Sequence, residues 1–218
     1  MPAIDSAQRL LNSGIVGIIR APSGEQLVDV AQAVLAGGVD CLEVTFTVPN
    51  AHRVLEKVAD ALGDKVLLGA GTVLDTETCR AAILAGAEFI VSPGTNVDVI
   101  QMCRRYSKPA LPGAMTPTEV IAAWQAGADF VKVFPCDVLG PAHIKALRGP
   151  LPQVKLIPTG GVTLETAADF LKAGAVALGI GSSLVEPQAI AKGDFARIES
   201  LAKQYVEIVR KTREAMKK

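Results

Sequence analysis

The chain has 218 residues, of which half are hydrophobic, 20% are charged and only 4% are aromatic. This composition supplies enough apolar side chains for a packed core, so it excludes a chain that is disordered over most of its length. Lysine plus arginine and aspartate plus glutamate both number 22, and this balance argues against nucleic acid and anionic membranes as partners.

No segment of the sequence is predicted to cross a membrane. The longest weakly polar run without charge, residues 173–185, contains three glycines and is shorter than the roughly 20 residues that a spanning helix needs. Residues 1–5 lack the basic and apolar regions of a signal peptide, so we expect a cytoplasmic protein. In that compartment we expect reduced, buried thiols at the four cysteines, which are Cys41, Cys79, Cys103 and Cys136.

In chain order, short apolar runs alternate with amphipathic ones. Four of the amphipathic runs end in Ala-Gly-Gly or Ala-Gly-Ala and lead into an apolar run, which is typical of a helix that ends on glycine before a buried strand. A leading helix is predicted at 3–13 and a long final helix at 194–216. The eight predicted strands, each followed by a helix, cover residues 15–20, 40–46, 65–71, 88–92, 109–113, 129–134, 154–159 and 175–180.

Eight strand–helix units without a linker rich in proline or serine predict an α/β fold. We expect one (β/α)8 TIM barrel domain over residues 1–218, with an extra N-terminal helix. The alternative is a doubly wound open sheet, but no Gly-x-Gly-x-x-Gly pattern follows the first strand. In a barrel, functional residues lie at the C-terminal ends of the strands, so the site is expected there.

Two charged residues interrupt strands that are otherwise apolar. Lys132 lies within Phe-Val-Lys-Val-Phe, and Glu43 lies within Cys-Leu-Glu-Val-Thr-Phe. Burying a charge costs several kcal/mol unless it is paired or neutralised, so one interpretation is a structural Lys132–Glu43 ion pair. The other is chemical: burial favours the neutral lysine amine, which attacks a ketone, and Glu43 then acts as general acid and base.

Glycine-rich segments follow the last two predicted strands. Thr159, Gly160 and Gly161 follow the seventh strand, and Gly181 and Ser182 follow the eighth. Glycine lets backbone N–H groups approach an anion, and loops at these two places hold phosphate in many barrels, although tight turns use glycine too.

Other strand ends complete the predicted rim of the site. Arg20 closes the first strand and is expected to clamp a carboxylate or phosphate. Thr72 and Pro112 end the third and fifth strands and are expected to form a wall of the same pocket. His52 and His143 lack the spacing of metal ligands, so no metal site is predicted.

Six motifs in this order resemble those of the 2-keto-3-deoxy-6-phosphogluconate (KDPG) aldolases, a family that includes 4-hydroxy-2-oxoglutarate (KHG) aldolases. The resemblance covers residues 15–185. The motifs are Leu-Glu-Val-Thr at 42–45, Gly-Ala-Gly-Thr-Val at 69–73, Phe-Ile-Val-Ser-Pro-Gly at 89–94, Pro-Gly at 112–113, Val-Lys-Val-Phe-Pro at 131–135 and Pro-Thr-Gly-Gly at 158–161.

The resemblance implies a class I aldolase on a (β/α)8 barrel, homotrimeric and without a metal or other cofactor. It implies that Lys132 forms the Schiff base, that Glu43 is the general acid and base, and that Thr72 lies near the pyruvate portion of the substrate. Many members carry an arginine where this chain has Thr47, and we expect Arg20 to supply that guanidinium instead. The phosphate loops implied by the resemblance contain Gly160, Gly161, Gly181 and Ser182.

The implied reaction is cleavage of KDPG to pyruvate and glyceraldehyde 3-phosphate, and of KHG to pyruvate and glyoxylate. One alternative is the galactonate epimer of KDPG as substrate, and the sequence leaves this preference open. A second is a sugar-phosphate isomerase or epimerase in which Lys132 polarises a carbonyl without a covalent bond. A third is a protein that binds a phosphorylated ligand and carries a structural Lys–Glu pair.

Overall fold

The structure is a computed structural model that describes residues 3–20 and 24–217, so residues 1–2, 21–23 and 218 lie outside the described chain. The strands are β1 Ile15–Ile19, β2 Cys41–Thr45, β3 Leu67–Gly71, β4 Phe89–Val91, β5 Ala110–Leu111, β6 Gly113–Ala114, β7 Val131–Val133, β8 Leu156–Pro158 and β9 Leu178–Ile180. The helices are α1 Ala3–Ser13, α2 Gly24–Ala36, α3 Ala51–Leu62, α4 Thr76–Leu84, α5 Val97–Arg105, α6 Pro117–Gln125, α7 Gly140–Arg148, α8 Ala167–Lys172, α9 Pro187–Lys192 and α10 Phe195–Met216, with a short 3₁₀ turn at Gly63–Lys65.

The strands pair in parallel throughout. Every strand residue is buried, as expected of parallel strands that are covered on both faces. The predicted α/β fold is therefore confirmed, and its strands are parallel. None of the described helices is long and apolar enough to span a bilayer.

The fifth predicted strand differs from the expectation of a continuous run over residues 109–113. It divides at Pro112 into β5, which pairs with β4, and β6, which pairs with β7. Proline has no N–H to donate to a ladder, so regular pairing stops at this residue. The strands consequently form a six-stranded sheet in the order β5-β4-β3-β2-β1-β9 and a three-stranded sheet in the order β6-β7-β8.

Helix α1 lies against the N-terminal ends of the strands. Its Leu10 joins a buried cluster with Val16, Cys41, Leu67 and Phe89, which are at or near the first positions of β1 to β4. A larger apolar cluster fills the layer between the strands and the surrounding helices. Because α1 closes the N-terminal side, the C-terminal ends of the strands are left to form a site.

Candidate active site

Lys132 is at the centre of β7 and is only 8% exposed. Its backbone N–H donates to the carbonyl oxygen of Pro112 at 2.9 Å, which fixes β7 against the interrupted fifth strand. Phe134 directly follows the end of β7, and its ring lies beside the amine, with Lys132 Nζ 5.0 Å from the ring centroid.

Glu43 is at the centre of β2 and is 2% exposed. Burial raises the pKa of its carboxyl group, and the positive charges of Lys132 and Arg20 act in the opposite direction. Within residues 3–20 and 24–217, none of the ion pairs joins Glu43 to Lys132. The two groups therefore interact by longer-range electrostatics. They do not form the contact ion pair that a purely structural role would predict.

The loops after β8 and β9 line a cavity of about 140 Å³. Gly160 and Gly161 adopt φ angles of 88° and 68°, in the left-handed region that favours glycine. A Cβ atom on Gly161 would also lie 2.7 Å from the Cα atom of Asp137, so the chain passes too close for a side chain. The predicted residues that line this cavity are Arg20, Thr159, Gly160, Gly161, Gly181 and Ser182.

Ser183, the last residue of the glycine-rich segment after the eighth predicted strand, connects these two loops. Its hydroxyl donates to the carbonyl oxygen of Val162 at 2.5 Å, so the loop after β9 is tied to the loop after β8. A second link is the parallel bridge between Thr159 and Gly179. The geometry of the cavity wall therefore depends on both loops together.

A second cavity of about 410 Å³ adjoins the first, and Arg20 and Ser182 line both. Thr47 lines the second cavity, where its hydroxyl lies 3.0 Å from the hydroxyl of Thr45. Arg20 and Thr47 thus face one space from neighbouring strand ends, because β1 pairs with β2. That Arg20 supplies the guanidinium of this space stays a prediction.

Thr72 and Pro112 lie at strand ends but line neither cavity. Thr72 follows β3 with a φ angle of 61°, which is a strained conformation for a β-branched residue. Pro112 is buried between β5 and β6. Thr72 thus follows the end of β3 and Pro112 follows the end of β5, and their contact with substrate stays a prediction.

The arrangement combines a buried amine, a buried carboxyl group and an anion-sized cavity with one guanidinium. An amine and a proton-transferring carboxyl group are the groups needed to form and hydrolyse a Schiff base with a ketone. Among residues 3–20 and 24–217, no three His, Cys, Asp or Glu side chains are close enough to share a metal ion.

The chain matches a protein family described as "Aldolase: KDPG and KHG aldolase" over residues 6–201. It is 37% identical to a 2-dehydro-3-deoxy-phosphogluconate aldolase of Treponema pallidum (strain Nichols), over 89% of this chain and 93% of the relative. It is 34% identical to a 2-dehydro-3-deoxy-6-phosphogalactonate aldolase of Escherichia coli (strain K12), over 93% of this chain and 96% of the relative.

The fold also matches a solved structure of KDPG aldolase from Legionella pneumophila, with pyruvate captured as a covalent carbinolamine intermediate. The TM-score is 0.85 at 30% sequence identity, and the match covers 91% of this chain and 96% of that chain. The resemblance found in the sequence motifs is thereby confirmed. The chain belongs to the KDPG and KHG aldolase family.

Proposed function

We propose that the protein is a class I aldolase that cleaves KDPG to pyruvate and glyceraldehyde 3-phosphate. The observation that carries this proposal is the pairing of a buried Lys132 with a buried Glu43 that does not neutralise it by direct contact. A purely structural pair would gain from an ion-pair contact, whereas a catalytic pair needs room for a substrate between the two groups. Family membership supports the same assignment.

The first half of the proposed reaction forms the Schiff base. The neutral amine of Lys132 attacks the C2 ketone of the substrate and gives a carbinolamine. Glu43 transfers a proton to the departing hydroxyl, water leaves, and the nitrogen becomes a protonated Schiff base. This positive nitrogen then draws electrons from the neighbouring carbon–carbon bond.

The second half breaks the bond between C3 and C4. Glu43 takes the proton of the C4 hydroxyl, the C4 oxygen forms a carbonyl, and the electron pair of the broken bond moves toward the Schiff-base nitrogen. Glyceraldehyde 3-phosphate leaves and an enamine of pyruvate stays on Lys132. Protonation at C3 followed by hydrolysis releases pyruvate and restores the amine, so no external oxidant or reductant is consumed.

The substrate anions are assigned to the rim of the site. Backbone N–H groups of the two glycine-rich loops and the guanidinium of Arg20 suit the phosphate group, because they line one cavity and provide donors and positive charge. Thr47 lines the adjoining cavity, and we assign Thr72 to the pyruvate portion and Pro112 to the wall of the pocket. The proposed substrate-binding residues are Arg20, Thr47, Thr72, Pro112, Thr159, Gly160, Gly161, Gly181 and Ser182.

A second candidate is cleavage of the galactonate epimer, 2-keto-3-deoxy-6-phosphogalactonate. It is favoured by the 34% identity to the Escherichia coli relative named for that substrate. The two sugars differ at C4, the carbon at which the bond breaks. Contacts with the C4 hydroxyl group therefore decide the preference. A substrate with the wrong configuration at C4 would leave buried polar groups of the site without a partner.

We further propose that β5 and β6 act as one strand and that the two sheets close into a single eight-stranded (β/α)8 domain over residues 1–218. The Thr159–Gly179 bridge supports closure on one side. On the other side, β5 and β6 continue one another across Pro112. Helix α1 is then the extra N-terminal helix of this barrel.

We also propose a cytoplasmic homotrimer. Trp124, Val138 and Leu139 expose large apolar surfaces, which suit contact between subunits. All four cysteines are unpaired, as expected in a reducing compartment. Light scattering after gel filtration tests the trimer: the expected mass is about three times the 22.7 kDa of one chain, and a monomer mass would contradict it.

The function is tested by measuring pyruvate release from KDPG, from its galactonate epimer and from KHG, each with purified protein. We expect the largest kcat/KM with KDPG. Preference for the epimer would establish the second candidate. Failure to release pyruvate from all three substrates by a protein with a cooperative thermal transition would overturn the aldolase proposal and favour a non-covalent isomerase or a binding protein.

A further inference from the structure

Two cysteines outside the proposed site are in direct contact. Cys79 lies on α4 and Cys103 lies on α5, and their Sγ atoms are 3.7 Å apart. Both side chains are fully buried. A disulfide has a sulfur–sulfur distance of about 2.0 Å, so the two atoms need to approach by less than 2 Å to form a bond.

The other two cysteines are in different surroundings. The thiol of Cys136 donates to the carbonyl oxygen of Val133, and the thiol of Cys41 lies beside the carboxylate of Asp40. Among the described residues, the only sulfur–sulfur hydrogen-bond contact is that of Cys79 with Cys103. Any intramolecular disulfide is therefore confined by geometry to this pair.

We propose that Cys79 and Cys103 are a redox modification site, at which a peroxide converts the two thiols into a reversible disulfide that joins α4 to α5. One of the two sulfurs attacks an oxygen of hydrogen peroxide, which gives a sulfenic acid and one water. The other sulfur then attacks the sulfenic sulfur, and a second water leaves as the disulfide forms. The two thiols lose two electrons and two protons, and the peroxide is reduced to two waters.

The contact between the thiols supports the second step. Either sulfur can be the donor in this contact, and a hydrogen bond lowers the pKa of the thiol that accepts it. The thiolate is the reactive form of cysteine, so the accepting sulfur is the one that reacts with the oxidant. The other thiol is already in place as the resolving thiol.

The surrounding loops already hold the two helices together. The hydroxyl of Ser92 donates to the carbonyl oxygen of Val73 at 2.6 Å. The side-chain amide of Asn96 donates to the carbonyl oxygen of Leu74 at 2.9 Å. These contacts join the segments that lead into α4 and α5. A disulfide would add a covalent link between elements that are fixed relative to each other, so we expect it to stabilise the native fold.

The test exposes the reduced, full-length protein to hydrogen peroxide, blocks the remaining thiols and maps tryptic peptides by mass spectrometry. We expect residues 66–80 to be linked to residues 81–104, with a loss of two hydrogen atoms that dithiothreitol reverses. We also expect the oxidised protein to melt several degrees above the reduced protein, because the link closes a loop in the unfolded chain.

Cys41→Ala is the matched control, since it removes a buried thiol outside the pair, and it should keep the disulfide. Cys79→Ser and Cys103→Ser should each abolish it. If a serine variant fails to fold, the peptide maps of the wild type and Cys41→Ala decide the question alone. The proposal is overturned by four intact thiols, by sulfinic acid without a link, by a link to Cys41 or Cys136, or by an oxidised protein that melts no higher.

Discussion

The carboxylate of Glu43 occupies space that Gly71 leaves open on the neighbouring strand. A Cβ atom built on Gly71 would overlap Oε1 of Glu43. The two residues belong to β2 and β3, which pair in parallel. The direction in which Glu43 points is therefore set by the absence of a side chain at position 71.

We expect Gly71→Ala to displace the Glu43 carboxylate and to lower kcat/KM for KDPG by about 100-fold, the lower end of what a positioned acid or base contributes. Steady-state kinetics on the purified variant measure this effect. Gly149→Ala is the matched control, because the nearest atom to its added Cβ is Ala146 O at an ordinary 3.5 Å. Wild-type kinetics in Gly71→Ala would contradict the proposed constraint on Glu43.

Replacing the amine of Lys132 should separate catalysis from folding. Methionine has a similar length and no charge, so Lys132→Met removes the nucleophile, and the buried Glu43 carboxyl, whose pKa is already raised, is neutralised by a proton instead of staying as an unpaired charge. We expect less than a few per cent of the wild-type rate of pyruvate release and a Tm within a few degrees of the wild type. A higher residual rate in this variant would disprove the covalent role of Lys132.

Glu43 should make stability depend on pH. Burial raises its pKa in the folded protein above the ordinary 4.5, although Lys132 and Arg20 oppose this shift. Between pH 4.5 and the raised pKa, the folded state retains a proton that the unfolded chain has lost, so the free energy of unfolding falls as pH increases through that range.

Glu43→Gln removes this ionisation. Its Tm relative to the wild type should therefore be highest above the raised pKa and should decline as the pH is lowered to about 4. Thermal melts of both proteins at matched pH values measure the difference. A difference that does not vary with pH would show that the two states of the protein bind the Glu43 proton equally.

We expect Arg20 to contribute more to the binding of phosphorylated substrates than to the binding of KHG. A charge-assisted hydrogen bond contributes about 1.5–3 kcal/mol, so Arg20→Ala should raise KM for KDPG by roughly 10- to 100-fold. Arg105→Ala removes an exposed guanidinium from the end of α5 and should leave KM unchanged. An unchanged kcat/KM for KDPG in Arg20→Ala would remove Arg20 from the anion site.

The central pair of the site was predictable from sequence because each member breaks a strict local pattern. A charge within an apolar strand is costly, so Lys132 and Glu43 stand out in single strands without any knowledge of their neighbours. The glycine-rich loops were predictable as well, and the structure places Gly160 and Gly161 in left-handed conformations that require glycine.

Other features depend on three-dimensional neighbours and could not be predicted in the same way. The sequence predicts Phe134 as one more apolar residue of the sixth strand. In the structure, β7 ends at Val133, and the Phe134 ring lies beside the Lys132 amine. Ser183 is indistinguishable from Ser182 in sequence, and only the position of Val162 gives its hydroxyl a partner. The break at Pro112, by contrast, follows from a local property of the sequence, because proline has no N–H to donate to a neighbouring strand.

The most direct test of the account is trapping of the Schiff base. The protein is incubated with pyruvate and sodium borohydride and then digested for peptide mass spectrometry. We expect one adduct per chain on Lys132, with a mass gain equal to pyruvic acid less one oxygen atom. A folded protein that gains no mass, or that carries the adduct on another lysine, would contradict the assignment of Lys132 as the nucleophile.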